Sequence, residues 1–257
     1  MDSKAFIHDY FRERSIAFPD FYTSRPLLPI EQFIVGQIPA GSNVLDLCCG
    51  GGETSLALAK QGATVTGVDY VDEMCYLCRA LFAEEGRTGT FVNQDATDLL
   101  FADESFSHVV CAGSSLNSMT NEDARLTIRE IARVVKLGGT VYLAILNPHG
   151  LRNLAAAARG LAQGAPRRGF YYRSEYGIDA MGLEIPRGLS FLLSAGKLKR
   201  YMREAGLHYR ISNWNIGLAA SHWLVTARKL EGQSDEGNRP EGRLRGIWNR
   251  ELGQRGR

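Results

Sequence analysis

Long uncharged apolar runs are missing from this sequence. No stretch approaches the roughly 20 apolar residues that a membrane-spanning helix requires. The first ten residues carry scattered charges, so they lack the apolar core of a secretory signal peptide. We therefore expect a cytoplasmic protein with no membrane association.

A large excess of one charge and a dense set of cysteines are missing as well. Lys and Arg total 30 against 28 Asp and Glu, and the net charge of +2 is too small to imply nucleic acid on its own. Five cysteines in 257 residues do not make the disulfide framework of a small secreted protein. The composition therefore favours reduced thiols in a cytosol, and we do not expect nucleic acid as a partner.

What the sequence does contain, from Ser42 onward, is an alternation of short apolar runs with longer segments of helical period. This alternation indicates a parallel sheet covered by helices. The predicted strands cover residues 43–48, 63–69, 90–94, 105–112, 139–146, 207–215 and 221–229. The predicted helices cover residues 53–62, 72–85, 121–136 and 194–205, and Asn121 is the expected N-cap of the third.

Too few residues separate the last two predicted strands for a crossover helix, so they must pair as an antiparallel hairpin. The predicted fold class is therefore α/β: a doubly wound, seven-stranded, mainly parallel sheet with a C-terminal antiparallel hairpin.

The predicted sheet accounts for only part of the chain. Residues 1–40 carry aromatic side chains spaced as one or two amphipathic helices, which we expect to form a helical cap over the active site. Residues 41–229 form the main domain. Within it, residues 147–192 have no clean period and are too long for a simple connection, which predicts a lid or substrate-binding insertion. Residues 230–257, rich in Gly, Arg, Glu and Asn, are predicted to be a disordered tail.

Three successive glycines follow the first predicted strand, where the backbone must turn sharply and let a ligand approach. The pattern Gly50-x-Gly52-x-x-Ser55, with Asp69 at the end of the next strand, nearly satisfies the fingerprint of dinucleotide-binding proteins. A nucleotide-like ligand is implied, and a dinucleotide stays open at this point.

Two carboxylates flank this turn and favour a different ligand. Asp46 ends the strand and Glu53 lies in the first turn of the following helix. A dinucleotide would set its pyrophosphate against these negative charges, whereas a cationic amino acid with a sulfonium would be attracted by them. The local charge therefore favours the cationic ligand.

The segment Val44-Leu-Asp-Leu-Cys-Cys-Gly-Gly-Gly52 resembles the first motif of class I S-adenosylmethionine-dependent methyltransferases. Three further segments resemble that family in the same order: Gly67-Val-Asp69, Asn93-Gln-Asp-Ala96 and Val135-Lys-Leu-Gly-Gly139. The terminal hairpin matches too, and the resemblance covers about residues 40–229. It implies a Rossmann-like methyltransferase fold, S-adenosylmethionine as the cofactor and S-adenosylhomocysteine as its product.

The resemblance also implies roles for individual residues around the amino-acid end of the cofactor. Gly50 and Gly52 would line it, and Asp46 would lie close to the ammonium group. Cys111 and Ala112, at the end of the fourth strand, would offer backbone groups near the methionine portion. Cys48 lies where most of the family has glycine; we expect a negative φ there and an intact site.

Around the nucleoside, the resemblance implies that Asp69 accepts from both ribose hydroxyls. Asp95 would accept from the adenine amino group, and the Ala96 backbone N–H would reach a ring nitrogen. Tyr70 or Met74 would pack on the base.

Candidates for contact with the methyl acceptor lie beyond the carboxyl ends of the strands, where ligands bind in open parallel sheets. His149 follows the fifth predicted strand and is the best candidate for a general base; the alternative is a solvated turn histidine. Ser114 and Asn117 lie in the polar loop after the fourth strand. Tyr22 among the N-terminal aromatics, with Tyr171 and Tyr172, could form a lid over the acceptor, or serve as core cover.

Several reaction classes are disfavoured. The sequence after the fourth strand is Cys-Ala-Gly-Ser, not the Asp/Asn-Pro-Pro-aromatic signature of amino-methylation of bases, and no catechol-type metal site can be assembled. We expect methylation of an O or N atom of a small molecule by in-line displacement in a lidded cleft. An RNA or protein methyltransferase, supported only by the basic tail, stays open, as does an NAD-type oxidoreductase or non-catalytic nucleotide-binding module. A monomer and a homodimer both stay open.

Overall fold

The computed structural model describes residues 3–147, 149–150, 171–174, 188–191, 193–216 and 219–230. The strands are β1 (Asn43–Leu47), β2 (Thr64–Asp69), β3 (Thr90–Asn93), β4 (Phe106–Cys111), β5 (Val135–Leu146), β6 (Tyr171–Ser174), β7 (Gly188–Phe191), β8 (Leu207–Ile216) and β9 (Ala219–Lys229). The helices are α1 (Ser3–Ala17), α2 (Pro19–Thr23), α3 (Pro29–Gly36), α4 (Glu53–Lys60), α5 (Asp72–Glu84), α6 (Asn121–Val134) and α7 (Ala195–Glu204), with a 3₁₀ turn at Ser115–Ser118.

Seven strands form one sheet in the order β3-β2-β1-β4-β5-β9-β8. The strands β3, β2, β1, β4 and β5 are parallel to one another, whereas β9 runs antiparallel to both β5 and β8. The predicted fold class, including the C-terminal antiparallel hairpin, is confirmed. The strand order reverses between β1 and β4, which is where ligands bind in doubly wound sheets.

Two apolar layers cover the sheet. On one face, α6 and α7 pack with residues such as Ile128, Ile131 and Leu198, all fully buried. The apolar positions of α6 recur every three or four residues, which directs one stripe of that helix toward the sheet. On the other face, α3, α4 and α5 pack, and Ile30 and Ile34 bring α3 fully into this core.

Glycines end several helices as expected. Gly62, Gly86 and Gly206 each follow a helix and have φ of +94°, +60° and +69°. These left-handed conformations cost glycine little because it lacks a Cβ atom, so the chain can turn immediately into the next strand.

Two predicted element starts were wrong. The N-cap of α6 is Thr120, not Asn121: its hydroxyl accepts the Asp123 N–H at 3.1 Å, and Asn121 is already helical. Thr and Asn cap with similar chemistry, so the sequence did not distinguish the two neighbours. Strand β5 begins at Val135, which pairs with Phe106, rather than at residue 139.

The N-terminal helices divide between two roles. Helix α3 is part of the core, whereas α1 and α2 lie against α5. The domain division drawn from the sequence stays a prediction. The tail from residue 231 and most of the 147–192 insertion lie outside the described residues. None of the helices in the described ranges is long and apolar enough to cross a membrane.

Candidate cofactor and acceptor site

The glycine-rich turn after β1 contains three residues with positive φ: Cys48 at +58°, Gly50 at +55° and Gly52 at +93°. The prediction of a negative φ at Cys48 was therefore wrong. The turn requires a left-handed residue at the position where the resembling family has glycine, and a side chain there costs roughly 1–2 kcal/mol. A hydrogen bond with the Cys111 thiol, together with burial, raises the pKa of Cys48.

Gly51 has a structural role that the sequence did not reveal. A Cβ atom at this position would collide with the backbone carbonyl of Tyr22. At Gly52, which precedes α4, a Cβ would come within 2.9 Å of the Cys78 Sγ atom. The turn is therefore enclosed by the N-terminal segment on one side and by α5 on the other. The requirement for glycine at position 51 is therefore explained by its tertiary contact with Tyr22.

Asp46 is a buried carboxylate at the carboxyl end of β1. Only 2% of its surface is exposed, and the hydroxyl of Ser55 donates to its Oδ2 atom at 2.6 Å. Burial, with the negative charges of Glu31, Glu53 and Asp69 nearby, raises the pKa of Asp46 to about 7. Ser55, which departs from the dinucleotide fingerprint, is thus the hydrogen-bond partner of Asp46.

Glu53 begins α4 and belongs to an ion-pair network with Arg25 and Glu31. The Arg25 Nε atom lies 2.9 Å from Glu53, while its two terminal nitrogens donate to Glu31 at 2.8 and 2.9 Å. Glu31 is fully buried and also accepts the Leu28 N–H at 2.7 Å. Burial raises the pKa of Glu53 to about 7 against the opposing charge of Arg25.

Asp69 ends β2 directly beside the turn. Its Oδ2 atom accepts the Gly50 N–H at 2.9 Å and its Oδ1 atom accepts the Val71 N–H at 3.0 Å. Burial raises the pKa of Asp69, although these backbone donors favour the ionised form. Each carboxylate oxygen has further acceptor capacity, so the group can also accept hydroxyl donors from a ligand.

The strand-end Asp95 contacts α1. The Lys4 Nζ atom lies 2.7 Å from its Oδ2, and Thr97 donates its N–H and its hydroxyl to Oδ1 at 2.9 and 2.8 Å. Burial opposes ionisation, but Lys4 and Thr97 outweigh it and hold the pKa of Asp95 below its usual range. The same lysine lies 3.5 Å from Asp123 at the start of α6.

The other residues predicted around adenine differ in accessibility. Tyr70 is 43% exposed and its ring meets that of His8 edge-on, with 5.4 Å between centroids. Met74 and Ala96 are buried. Helix α1 is tied down beside them because Arg12 lies 2.7 Å from Glu73. The roles assigned to these residues stay predictions.

Several acceptor candidates follow β4 and β5. Cys111 and Ala112 are buried at the end of β4, and Ser114 has a left-handed φ of +57°. Asn117 is buried in the 3₁₀ turn, where its Oδ1 atom accepts the Leu146 N–H at 2.8 Å and ties β5 to this turn.

His149 is exposed just after β5. Its backbone N–H donates to the Asn147 Oδ1 atom at 2.9 Å, and its ring lies 6.2 Å from that of Trp223. Tyr171 and Tyr172 lie in β6, opposite Phe191 and Ser190 of β7. In the described residues, no three His, Cys, Asp or Glu side chains are grouped as a metal site.

The geometry agrees with a match to known sequences: residues 44–139 match a family model described as a methyltransferase domain. Over this range, the chain is similar to methyltransferases. The resemblance predicted from the order of the sequence motifs is confirmed. The matched range begins in β1 and ends within β5, at Gly139.

Three similar proteins illustrate the range of the likeness. A demethylmenaquinone methyltransferase of Clavibacter sepedonicus is 38% identical over 104 residues, which are 40% of this chain and 41% of that relative. A ubiquinone biosynthesis O-methyltransferase of Thiobacillus denitrificans is 29% identical over 171 residues, 65% of each chain. The structure of magnesium protoporphyrin IX methyltransferase from Synechocystis, with bound S-adenosylhomocysteine, has 17% identity and a TM-score of 0.64 over 88% of this chain and 100% of its own.

The match to the first of these relatives therefore spans about two fifths of that relative's length. At 17% identity, the structural likeness shows the fold alone.

Proposed function

We propose that this chain binds S-adenosylmethionine at the turn after β1 and transfers its methyl group to an O or N atom of a small molecule. One observation carries the proposal: Asp46, Glu53 and Asp69 converge on a left-handed glycine turn at the switch point of the sheet. This arrangement offers acceptors and negative charge, which a ligand with an ammonium and a sulfonium would satisfy.

The residues present fit such a cofactor. Asp46 would attract the ammonium group, Asp69 would accept from the ribose hydroxyls, and Asp95 would accept from the adenine amino group. Both oxygens of Asp69 are oriented by backbone N–H groups before any ligand arrives, so little reorganisation is needed. When bound, S-adenosylmethionine supplies a methyl group on a positively charged sulfur.

The chain's own contribution to transfer is positioning and exclusion of water. The backbone of Tyr22 lies against Gly51, and α1 reaches across the ends of β3 and α6 through Lys4, so the N-terminal segment shields the cofactor end of the cleft. A hydroxyl acceptor also needs a base, for which His149 is exposed beyond the carboxyl end of β5. A neutral amine acceptor does not.

A small-molecule acceptor is supported by the names of two relatives, a demethylmenaquinone methyltransferase and a ubiquinone biosynthesis O-methyltransferase. Both names denote methylation in the making of small molecules. The identity of the acceptor is not part of the proposal, and neither is the choice between oxygen and nitrogen.

The cofactor assignment is tested by calorimetry with S-adenosylhomocysteine. Replacing Asp69 by Ala should weaken binding about a hundredfold, because two hydrogen bonds to a charged acceptor are lost. The matched control is Asp98→Ala, which removes an exposed carboxylate from the loop after β3 and should leave affinity unchanged. Equal affinity of wild type and Asp69→Ala would sink the assignment.

The acceptor class is tested by transfer of an isotopically labelled methyl group to panels of phenols, hydroxyquinones, amines, RNA and proteins. Labelling of a small phenol or amine with saturable kinetics supports the proposal. Labelling confined to RNA, lost when residues 231–257 are removed, would replace it with the RNA alternative. In the first case, His149→Ala should reduce transfer to a phenol much more than transfer to an amine.

A further inference from the structure

We infer that Arg14 binds the carboxylate of the cofactor's amino-acid portion. The inference rests on the proposed function and adds to it a residue that the sequence motifs did not single out. Its starting point is a buried cation in the N-terminal segment, in a site otherwise rich in carboxylates.

Arg14 lies near the end of α1 with only 6% of its surface exposed. Its Nε atom donates to the Tyr22 hydroxyl at 3.0 Å, but its Nη1 atom is buried and has no hydrogen-bond partner within the described part of the chain. The guanidinium lies 5.4 Å from the ring centroid of Tyr10 and 5.6 Å from that of Phe21. A buried charge with an unpaired donor is costly, so the site favours an anion at that donor.

The contacts of Tyr22 locate this donor at the glycine-rich turn. The Tyr22 backbone touches Gly51. Burial raises the pKa of the Tyr22 hydroxyl, and the charges of Asp69 and Glu53 add to the effect, so both carboxylates lie within electrostatic reach of the hydroxyl that Arg14 contacts. The guanidinium therefore borders the end of the cleft where the amino-acid portion of the cofactor would lie.

The other arginine at this end of the cleft is already occupied. Arg25 donates from both terminal nitrogens to Glu31, and its Nε atom forms an ion pair with Glu53 at 2.9 Å. The cofactor brings a carboxylate as well as an ammonium, and Asp46 and Glu53 repel that carboxylate. Arg14 supplies the compensating positive charge, and its planar fork suits the geometry of a carboxylate.

A carboxylate could reach Arg14 from the cofactor or from an acidic methyl acceptor, and the experiment separates these two sources. Calorimetry compares S-adenosylhomocysteine with its decarboxylated analogue, which keeps the amine and the nucleoside. Each probe is titrated into wild type, Arg14→Met and Arg14→Lys. The control is Arg125→Met, which removes an arginine of α6 whose ion pair with Glu122 is exposed.

Arg14→Met should bind S-adenosylhomocysteine about 10- to 100-fold more weakly than wild type, with little change for the decarboxylated analogue. Arg14→Lys should recover part of the loss, and Arg125→Met should bind both probes as wild type does. Because the result is the ratio of two affinities within one variant, a general loss of stability cancels from it.

An equal loss for both probes would assign Arg14 a structural role and overturn the inference. No loss for either probe would overturn it too, and would leave an acidic acceptor as the anion to test. In both outcomes wild type still binds S-adenosylhomocysteine, so the proposed function stands. If wild type binds neither probe, the proposed function fails and the inference fails with it.

Discussion

Asp46 is ionisable, buried and surrounded by other carboxylates, and its raised pKa links the stability of the protein to pH. Its pKa is about 7 in the folded protein against an ordinary value of 3.8. The folded state therefore holds a proton that the unfolded state has released between these two values. Since stability falls with rising pH wherever the folded state binds more protons, the contribution is present below pH 4 and is lost as pH rises through 7.

We expect the free energy of unfolding of the ligand-free protein to decrease between pH 5.5 and 8 by an amount that Asp46→Asn reduces. Asn keeps an acceptor for the Ser55 hydroxyl and removes the titrating group. Urea unfolding followed by circular dichroism at several pH values measures the slope. An identical slope in wild type and Asp46→Asn would show that another group, such as Glu53, dominates the pH dependence.

Cys48 has a strained backbone conformation. Its φ of +58° lies in the left-handed region, where a side chain is unfavourable and glycine is not. Both Cys48→Gly and Cys48→Ala lose the thiol contact with Cys111, but only Gly relieves the strain. Cys48→Gly should therefore be more stable than Cys48→Ala by about 1 kcal/mol in urea unfolding. Equal stability of the two variants would contradict a left-handed backbone there.

At the scale of elements, the sequence was informative wherever a pattern was local. The strands of the seven-stranded sheet and the helices α4 to α7 follow from apolar runs, helical period and terminal glycines, and the strand ends carrying Asp46, Asp69 and Asp95 follow from the same pattern. Strands β6 and β7 do not, because they lie in the segment without a clean period. The contacts of Gly51 with Tyr22 and of Lys4 with Asp95 do not follow, because they join segments far apart in the chain. The periodicity of a sequence segment does not indicate which distant segment will pack against a turn.

Helix α1 is such a segment, and its docking depends on a few polar contacts. Lys4 contacts Asp95 and Asp123 while α1 contributes none of the fully buried apolar side chains. Lys4→Met should weaken the docking by less than about 1 kcal/mol, because the ion pairs are partly exposed. The expected result is a few-fold faster amide exchange across residues 3–17, measured by mass spectrometry.

The control for this measurement is Lys60→Met, which removes a similarly exposed ion pair with Glu85, between α4 and the end of α5. It should leave exchange in α1 unchanged. Faster exchange of α1 in both variants would indicate that the whole protein is less stable, and would contradict a local role of Lys4 in docking α1.

At the scale of the whole molecule, the N-terminal 40 residues do not behave as one unit. Helix α3 places Ile30 and Ile34 fully within the core, and Ile38, just after the helix, is buried there too. Helices α1 and α2 instead cover the glycine-rich turn and the end of β3. The sequence suggested a single cap because both parts carry aromatic and aliphatic residues at helical spacing, and burial alone distinguishes them.

Removing residues 1–24 should leave a folded protein, whereas removing residues 1–40 should not. Each of the buried Ile30, Ile34 and Ile38 contributes about 1.5–3 kcal/mol, so their joint loss approaches the 5–15 kcal/mol that stabilises a typical domain. Thermal unfolding by circular dichroism should be cooperative for the shorter truncation only. That variant lacks Lys4, Arg14 and Tyr22, so it should also bind S-adenosylhomocysteine more weakly. Cooperative unfolding of the longer truncation would contradict the assignment of α3 to the core, and undiminished affinity of the shorter one would contradict a role for α1 and α2 over the cofactor.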